Sequence, residues 1–446
     1  MARTAKKEKA LTPEEKLAQA LVPDVEQPYR VPENWFWTTV GAINNYVGNS
    51  VDPLKEPDSI FELYSVPSSA ENFPELIEGK EIGSTKQSVK KGDVLLCKIN
   101  PRINRVWHVA QHTDNPLIAS SEWIVIRNIQ ISSKYLMWCM RSGYFREYML
   151  SNVSGVGGSL MRAQPKHVRG YPIPLAPLAE QQRIVDRIES LFVKLDEAKE
   201  KAQAVIDGFE DRKAAILHKA FTGELTAEWR KSFNGADWER TKLGTYLKPM
   251  ETKKPAGDRF LYIDIDSIDN KRQEVRAPKD TLVKDAPSRA SRAVHHGDVL
   301  FSMVRPYLKN IALIDESLQE CIASTGFYVC TPKSGLDSKY LYYLLCSKDA
   351  IDYLMQFMKG DNSPSIRKDD LLNMQIMLPS NQEQIQIVRI LDDVLEHEQQ
   401  AKEAAEQVID QIDTMKKSIL ARAFRGELGT NDPADESAVE LLKRVL

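Results

Sequence analysis

The chain has 446 residues, 60 of them basic and 63 acidic, for a formal charge of −3. That length exceeds one ordinary core and suits two or three domains. No run approaches the apolar length of a membrane span, and the near-neutral balance excludes a bulk polycation. The N-terminal stretch lacks an apolar signal core. The five cysteines show no paired or metal-type spacing, so free thiols in a reducing cytoplasm are expected.

Residues 1–34 read as an extension. Thr12-Pro13-Glu14-Glu15 fits a helix start with a capping box from Thr12 to Glu15 and proline in the first turn. Residues 35–176 form the first globular unit, slightly basic at +3. Val94 to Ile99 reads as a strand after a Gly-Asp turn, and Trp123 to Ile126 as another. Lys134 to Met149 carries helical spacing. Two polar loops stand out, Asn100 to Arg105 and Ser154 to Arg162. Lys98, Asn100, Arg102, Asn104, Arg105, Ser159 and Arg162 supply donors of the kind that reach phosphates and base edges. Taken singly, such loops are as well explained by ordinary solvated turns.

Residues 177–234 hold a long helix and a linker. Apolar positions step by four and three from Ile184 through Ile188, Leu191, Leu195, Ala198, Ala202, Val205 and Phe209 to Ile216, with Arg212 the one polar member. This is coiled-coil spacing. A rod with one apolar stripe is unstable alone and needs a partner.

Residues 235–378 then repeat the first unit, at a charge of +1. Trp35, Thr38 and Gly41 recur as Trp238, Thr241 and Gly244, and the Gly-Asp turn at Gly92 recurs at Gly297. Val299 to Val304 and Phe327 to Cys330 are the matching strands, and Lys339 to Met358 the matching helical run. The polar loops return as Arg305 to Asn310 and Gly360 to Arg367. Here Arg305, Tyr307, Lys309, Asn310, Ser365 and Arg367 are the candidate nucleic-acid contacts. Residues 379–446, at −6, contain the second long helix and a tail. Glu180 to Leu225 and Glu383 to Leu428 align without a gap at 19 of 46 identical positions. The second seam runs from Ile387 to Ile419, with Glu398 its one polar member. Each helix closes on Ala-Phe-x-Gly, whose glycine fits a C-terminal cap. A repeat of this size sets the architecture before any chemistry. The expected class is α+β: two similar globular α/β units, each followed by a long helix, the two helices pairing as an antiparallel coiled coil. Residues beside the seam, Phe221 and Phe424 among them, widen the apolar face and are candidates for docking another protein.

Enzymatic motifs mostly fail. Gly157-Gly158-Ser159 has no lysine before its serine, so it is no phosphate loop. No histidine or cysteine cluster suggests a metal. Pro57-Asp58 with Glu78-Gly79-Lys80 mimics a magnesium-nuclease pattern but is short and has no counterpart in the second half. Asn100-Pro101 is followed by Arg102, unlike the motif of adenine methyltransferases. No catalytic residue, metal or cofactor is assigned.

The helix-flanking motifs carry a resemblance. Ile173-Pro174-Leu175-Ala176-Pro177-Leu178-Ala179-Glu180-Gln181-Gln182-Arg183-Ile184-Val185 closes at Ala220-Phe221-Thr222-Gly223-Glu224-Leu225, and Pro379 with Glu383-Gln384 repeats its outline. Over residues 35–446 the chain resembles the specificity subunit of type I restriction-modification enzymes. The resemblance implies two target-recognition domains (35–176 and 235–378), each reading one half of a bipartite sequence in double-stranded DNA. It implies that the helices act as spacer and as docking surface for two modification (methyltransferase) subunits, which carry S-adenosylmethionine. Restriction subunits supply the translocase and nuclease. It further implies that the chain ends approach each other, with Ser437 to Leu446 forming a short helix. If the rod sets half-site spacing, one added heptad in both helices, about 10 Å, should widen the spacer by about 3 base pairs. Two other readings stand beside this one: a nuclease or methyltransferase in its own right, which the absent cofactor loop disfavours, and a coiled-coil scaffold without a DNA role, which the duplicated polar loops disfavour.

Overall fold

In the computed structural model, residues 11–151, 153–154, 161–233 and 236–446 are described. They divide into two units. Unit 1 comprises residues up to Lys201 together with Val408–Leu446, and unit 2 comprises Ala202–Gln407. Both division points fall inside long helices.

Unit 1 has a five-stranded sheet in the order Ser50–Val51, Lys86–Ser88, Leu117–Ala119, Ile60–Tyr64, Glu75–Glu78. A three-stranded sheet, Val106–His108, Val94–Cys97, Trp123–Ile126, packs below the helix Ser133–Arg141. Unit 2 has a four-stranded sheet, Lys279–Leu282, Arg259–Ile263, Ile322–Ser324, Ala290–Ala293. Its three-stranded sheet is Ile311–Leu313, Val299–Ser302, Phe327–Cys330, under the helix Ser338–Cys346. The strands after the Gly-Asp turns are thus central and fully buried in both units. The turns work alike: Gly92 and Gly297 have φ of 90° and 84°. Asp93 and Asp298 accept the backbone N–H of Lys90 and His295, each at 2.8 Å.

The recurring Trp-x-x-Thr-x-x-Gly stretch frames each unit. Phe36–Thr39 pairs antiparallel with Pro172–Leu175, and Glu239–Lys242 with Gln375–Leu378. The glycines answer to close approach. A Cβ on Gly41 would lie 2.9 Å from the Arg169 carbonyl oxygen, and one on Gly244 would lie 3.0 Å from that of Leu372.

Two helical runs read as continuous are each broken once. Lys134 to Met149 is two helices, Ser133–Arg141 and Gly143–Ser151, and Lys339 to Met358 is Ser338–Cys346 and Lys348–Met355. A buried serine stands at each break. Ser142 and Ser347 have extended backbone, and the Ser347 hydroxyl accepts from the Ala350 N–H at 3.3 Å, capping the next helix.

The first long helix runs Leu178–Asp207 and resumes as Phe209–Phe221 after Gly208; the second runs unbroken from Asn381 to Ala423. They pair antiparallel in each unit. In unit 1, Lys199 meets Asp413 at 3.3 Å and Lys416 meets Asp196. In unit 2, Arg212 meets Glu398 at 2.7 Å. The two polar seam residues therefore answer each other, the arrangement by which one polar pair sets coiled-coil register. Glu398→Ala and Arg212→Leu, alone and together, should give a coupling energy of about 1 kcal/mol in a double-mutant cycle. Strictly additive melting would show that the pair is decorative.

Both caps at Ala-Phe-x-Gly hold, with φ of 80° at Gly223 and 75° at Gly426. The expected Thr12–Glu15 capping box opens the helix Pro13–Ala20. The tail forms the helix Ala438–Val445, capped by Ser437. It packs beside the N-terminal helix: Lys16 Nζ donates to the Leu446 carbonyl at 3.0 Å, and the Ala438 N–H donates to the Asn34 carbonyl at 3.0 Å. All five cysteines are free and buried. No helix among the described residues is long and apolar enough to cross a membrane.

Candidate nucleic-acid interface

Each unit brings its two polar loops side by side. In unit 1 the Asn100 N–H donates to the Met161 carbonyl at 2.9 Å, and the Ala163 N–H to the Lys98 carbonyl at 2.8 Å. In unit 2 the Arg305 N–H donates to the Pro364 carbonyl at 2.8 Å, and the Ile366 N–H to the Met303 carbonyl at 3.0 Å. Segments about 60 residues apart thus form one surface, twice. The first loop has the same unusual backbone in both units. A short 3-10 turn, Pro101–Ile103 or Pro306–Leu308, lies between two left-handed residues: Asn100 and Asn104 (φ 47° and 52°), or Arg305 and Lys309 (φ 49° and 52°). Asparagine tolerates that region, whereas arginine and lysine rarely enter it. Residues held this way concentrate at binding sites. The buried proline pins the turn and pushes the next two side chains outward. Arg102 and Ile103 are exposed at one apex, Tyr307 and Leu308 at the other.

The candidate side chains differ in what they can offer. In unit 1, Arg102 is exposed and its carbonyl is held by Arg146. Lys98, Asn100 and Arg105 are half-buried at the rim. Arg162 is exposed and ion-paired to Glu122 at 3.2 Å. Asn104 is turned inward, its amide donating to the Met140 carbonyl at 3.3 Å, so it shapes the loop rather than projecting from it. Ser159 lies outside the described residues. In unit 2, Arg305 is exposed and directed by a 2.8 Å bond to the Asn362 carbonyl. Tyr307 and Arg367 are exposed, and Lys309 and Ser365 half-buried. Asn310 is 6% exposed, its carbonyl accepting from the Ser302 N–H at 3.1 Å. Asn310 sits at the strand edge and lines a cleft beside Arg305.

The docking candidates also divide. Phe424 has no exposed surface. It packs edge-on against Tyr135 at 5.3 Å in the core of unit 1, and its carbonyl accepts from Tyr29. A side chain in that position cannot meet a partner, which corrects the docking role expected for it. Phe221 is half-buried against Tyr340 at 5.3 Å. The exposed apolar surface lies elsewhere on the helix pair of unit 1. A hollow of about 450 Å³ is lined by Leu191, Leu195, Met415 and Ile419 and rimmed by Arg187, Lys194 and Arg422. Met415, a seam position in the sequence, is 47% exposed there.

The Glu-Gln pair that opens each long helix proves to be a buried clip, a role invisible in the sequence. Glu180, Gln181, Glu383 and Gln384 are all fully buried. Gln181 accepts from the Ser132 N–H at 2.9 Å and donates to the Ala176 carbonyl; Gln384 accepts from the Asp337 N–H at 2.8 Å and donates to Gly335. Each glutamine ties the long helix to the start of the helix on the three-stranded sheet, Ser133–Arg141 in unit 1 and Ser338–Cys346 in unit 2. Glu180 accepts from Trp35 Nε1 at 2.6 Å and Asn431 Nδ2 at 2.9 Å. Glu383 accepts from Thr226 at 2.6 Å and Arg230 at 2.7 Å.

A sequence profile described as "Type I restriction modification DNA specificity domain" matches residues 252–409. Among curated relatives, the EcoDI specificity subunit of Escherichia coli is 20% identical over 329 residues, covering 68% of this chain and 72% of that protein. The MjaVIII specificity subunit of Methanocaldococcus jannaschii is 25% identical over 426 residues, covering 90% of this chain and 94% of that one. The fold is also that of the HsdS subunit from Thermoanaerobacter tengcongensis, with a TM-score of 0.66 at 24% identity over 91% of this chain and 100% of that one. A chain from a type I restriction-modification assembly superposes at TM-score 0.70 and 23% identity over 90% of this chain. Duplicated units, paired long helices, the profile match over residues 252–409 and a relative aligned over 90% of this chain make the chain similar to the specificity subunits of type I restriction-modification enzymes.

Proposed function

We propose that this chain is the non-catalytic, sequence-reading subunit of a type I restriction-modification complex, each unit contacting one half of a bipartite target in duplex DNA. The observation that carries this reading is the pair of loop surfaces. The same left-handed, 3-10, left-handed backbone presents Arg102, Ile103 and Arg105 in one unit and Arg305, Tyr307 and Lys309 in the other. Alike scaffolds bearing unlike side chains are what two unlike half-sites require. Arginine matches the O6 and N7 acceptors of guanine, lysine and rim arginines reach phosphates, and an exposed tyrosine offers a face for stacking. Two modification subunits dock on the helix pairs, with the hollow around Met415 as the contact surface in unit 1, and restriction subunits complete the assembly.

The test separates the units. Arg102→Ala with Arg105→Ala should damage recognition of one half-site only, and Arg305→Ala with Lys309→Ala the other only. Each lost bidentate base contact lowers discrimination by about 1–3 kcal/mol, whereas a lost phosphate contact weakens all sequences alike and reduces the salt slope. Oligonucleotides scrambled in either half report which occurs. Unchanged affinity in both double variants would remove these loops from the interface.

A further inference from the structure

Beside the reading loop of unit 2 lies a cleft of about 490 Å³, lined by the candidates Arg305 and Asn310 and by a turn the sequence did not point to. The loop contributes Arg305 and Leu308, Ser363 comes from the adjoining loop, and the turn that leaves the strand Arg259–Ile263 contributes Ile265, Asp266 and Asn270.

That turn is rigidly built. Asp264 Oδ1 accepts from the Ser267 N–H at 3.1 Å and from its hydroxyl at 2.9 Å, closing the 3-10 turn Ile265–Ser267. Ile268–Asp269 then pairs with Glu274–Val275, and Asp269 Oδ1 accepts from the N–H groups of Lys271 and Arg272 at 3.0 and 3.1 Å. The tip is anchored from below. Lys213 Nζ donates to Gln273 Oε1 at 2.7 Å, and the Tyr342 hydroxyl donates to the Gln273 carbonyl at 3.2 Å. Asp264 and Asp269 are thus engaged by the turn itself. Asn270 is exposed, lines the cleft, and its amide makes no hydrogen bond to any described residue. An unengaged amide on a rigid turn, beside an arginine already aimed by its bond to Asn362, is the arrangement a reading site needs. An asparagine amide sets a donor next to an acceptor and matches N7 and N6 of adenine in the major groove; a guanidinium matches guanine or a phosphate. Unit 1 is built differently here: its strand Ile60–Tyr64 leads into the 3-10 turn Pro67–Ala70 and the strand Glu75–Glu78.

We propose that Asn270 reads an adenine in the half-site contacted by unit 2, with Arg305 holding the neighbouring purine or phosphate; this rests on the DNA-reading role proposed above. The experiment uses the full chain with its modification subunit, at fixed salt, on duplexes varied one base pair at a time across the target. Wild type should prefer adenine at one position of that half-site. Asn270→Ala should erase that preference by about 5- to 150-fold while leaving every position of the other half-site unchanged. Asn270→Asp, which cannot donate to N7, should fail to restore adenine and shift the preference toward cytosine. A wild-type profile in Asn270→Ala overturns the proposal. If Arg305→Ala with Lys309→Ala abolishes the half-site preference while Asn270→Ala does not, the Asn270 assignment falls and the reading role stands. A wild-type chain with no sequence preference overturns both.

Discussion

Replacing Glu383 with alanine should remove a large share of the stability of unit 2. The carboxylate is fully buried and accepts from Thr226, itself 1% exposed, and from two nitrogens of Arg230. Removing it leaves a guanidinium and a buried hydroxyl without their acceptor, at a cost of about 3–5 kcal/mol against a typical total of about 5–15 kcal/mol. Burial pushes the Glu383 carboxyl up, but hydrogen bonds from Arg230 and Thr226 outweigh it and hold the group below the usual carboxylate range. A folded-state value below the unfolded one gives stability that is present above the unfolded value and lost as pH falls through the folded one. Wild-type unit 2 should therefore weaken on acidification below the ordinary carboxylate range, and Glu383→Gln should flatten that dependence. Urea melts at stepped pH, read by tryptophan fluorescence, provide the check: Trp238 stacks over Arg230 at 5.1 Å. A Glu383→Ala protein that melts like wild type would show that the clip carries little of the fold.

Two substitutions on the helix pair should have opposite consequences. Phe424→Asp puts a charge into the core of unit 1, among Tyr135, Leu441 and Leu442. Losing the ring alone costs about 3–5 kcal/mol, and the unpaired charge adds to that. Unit 1 should unfold, and any partner lost with it would be lost indirectly. Met415→Asp instead alters a half-exposed side chain, and its effect on stability should stay within about 0.5 kcal/mol. It places a charge in the apolar hollow, so binding of the modification subunit should fall tenfold or more while the melting curve is unchanged. Circular dichroism melts and co-purification distinguish the two outcomes. Wild-type stoichiometry in Met415→Asp would remove the hollow as a docking surface.

Periodicity and repetition made the architecture legible, and their failures have physical causes. The seam spacing led to the helix pairing, and the two polar exceptions, Arg212 and Glu398, were visible as exceptions; that they face each other depends on register, which one stripe does not encode. The strand Trp123–Ile126 emerges with the expected bounds because its neighbours are turns. The helical runs through Ser142 and Ser347 read as continuous because serine is permitted inside a helix, and only the hydrogen bonding of the neighbouring turn reveals the break. The loops were chosen for composition. Their shared left-handed backbone could not be read, since arginine and lysine give no hint of positive φ. Phe424 was misplaced because apolarity at a helix end does not say which way a side chain turns. The Glu-Gln clip was recognisable as a recurring pair, but Trp35 and Asn431 lie 145 and 251 residues from Glu180, and no local pattern connects them.

That last contact has a bearing on biosynthesis. Unit 2 is a single stretch of chain, Ala202–Gln407, and every element of its core has left the ribosome before the second long helix is finished. Unit 1 is not. Its Glu180 waits for Thr430 and Asn431, its Arg183 for Asp435, and its core for Phe424, Leu441 and Leu442. During translation the core of unit 1 therefore stays incomplete until residues 408–446 arrive, while unit 2 already holds all of its own core residues. Domains usually mature from the N-terminus onward; here the last residues of unit 2 leave the ribosome before the last of unit 1.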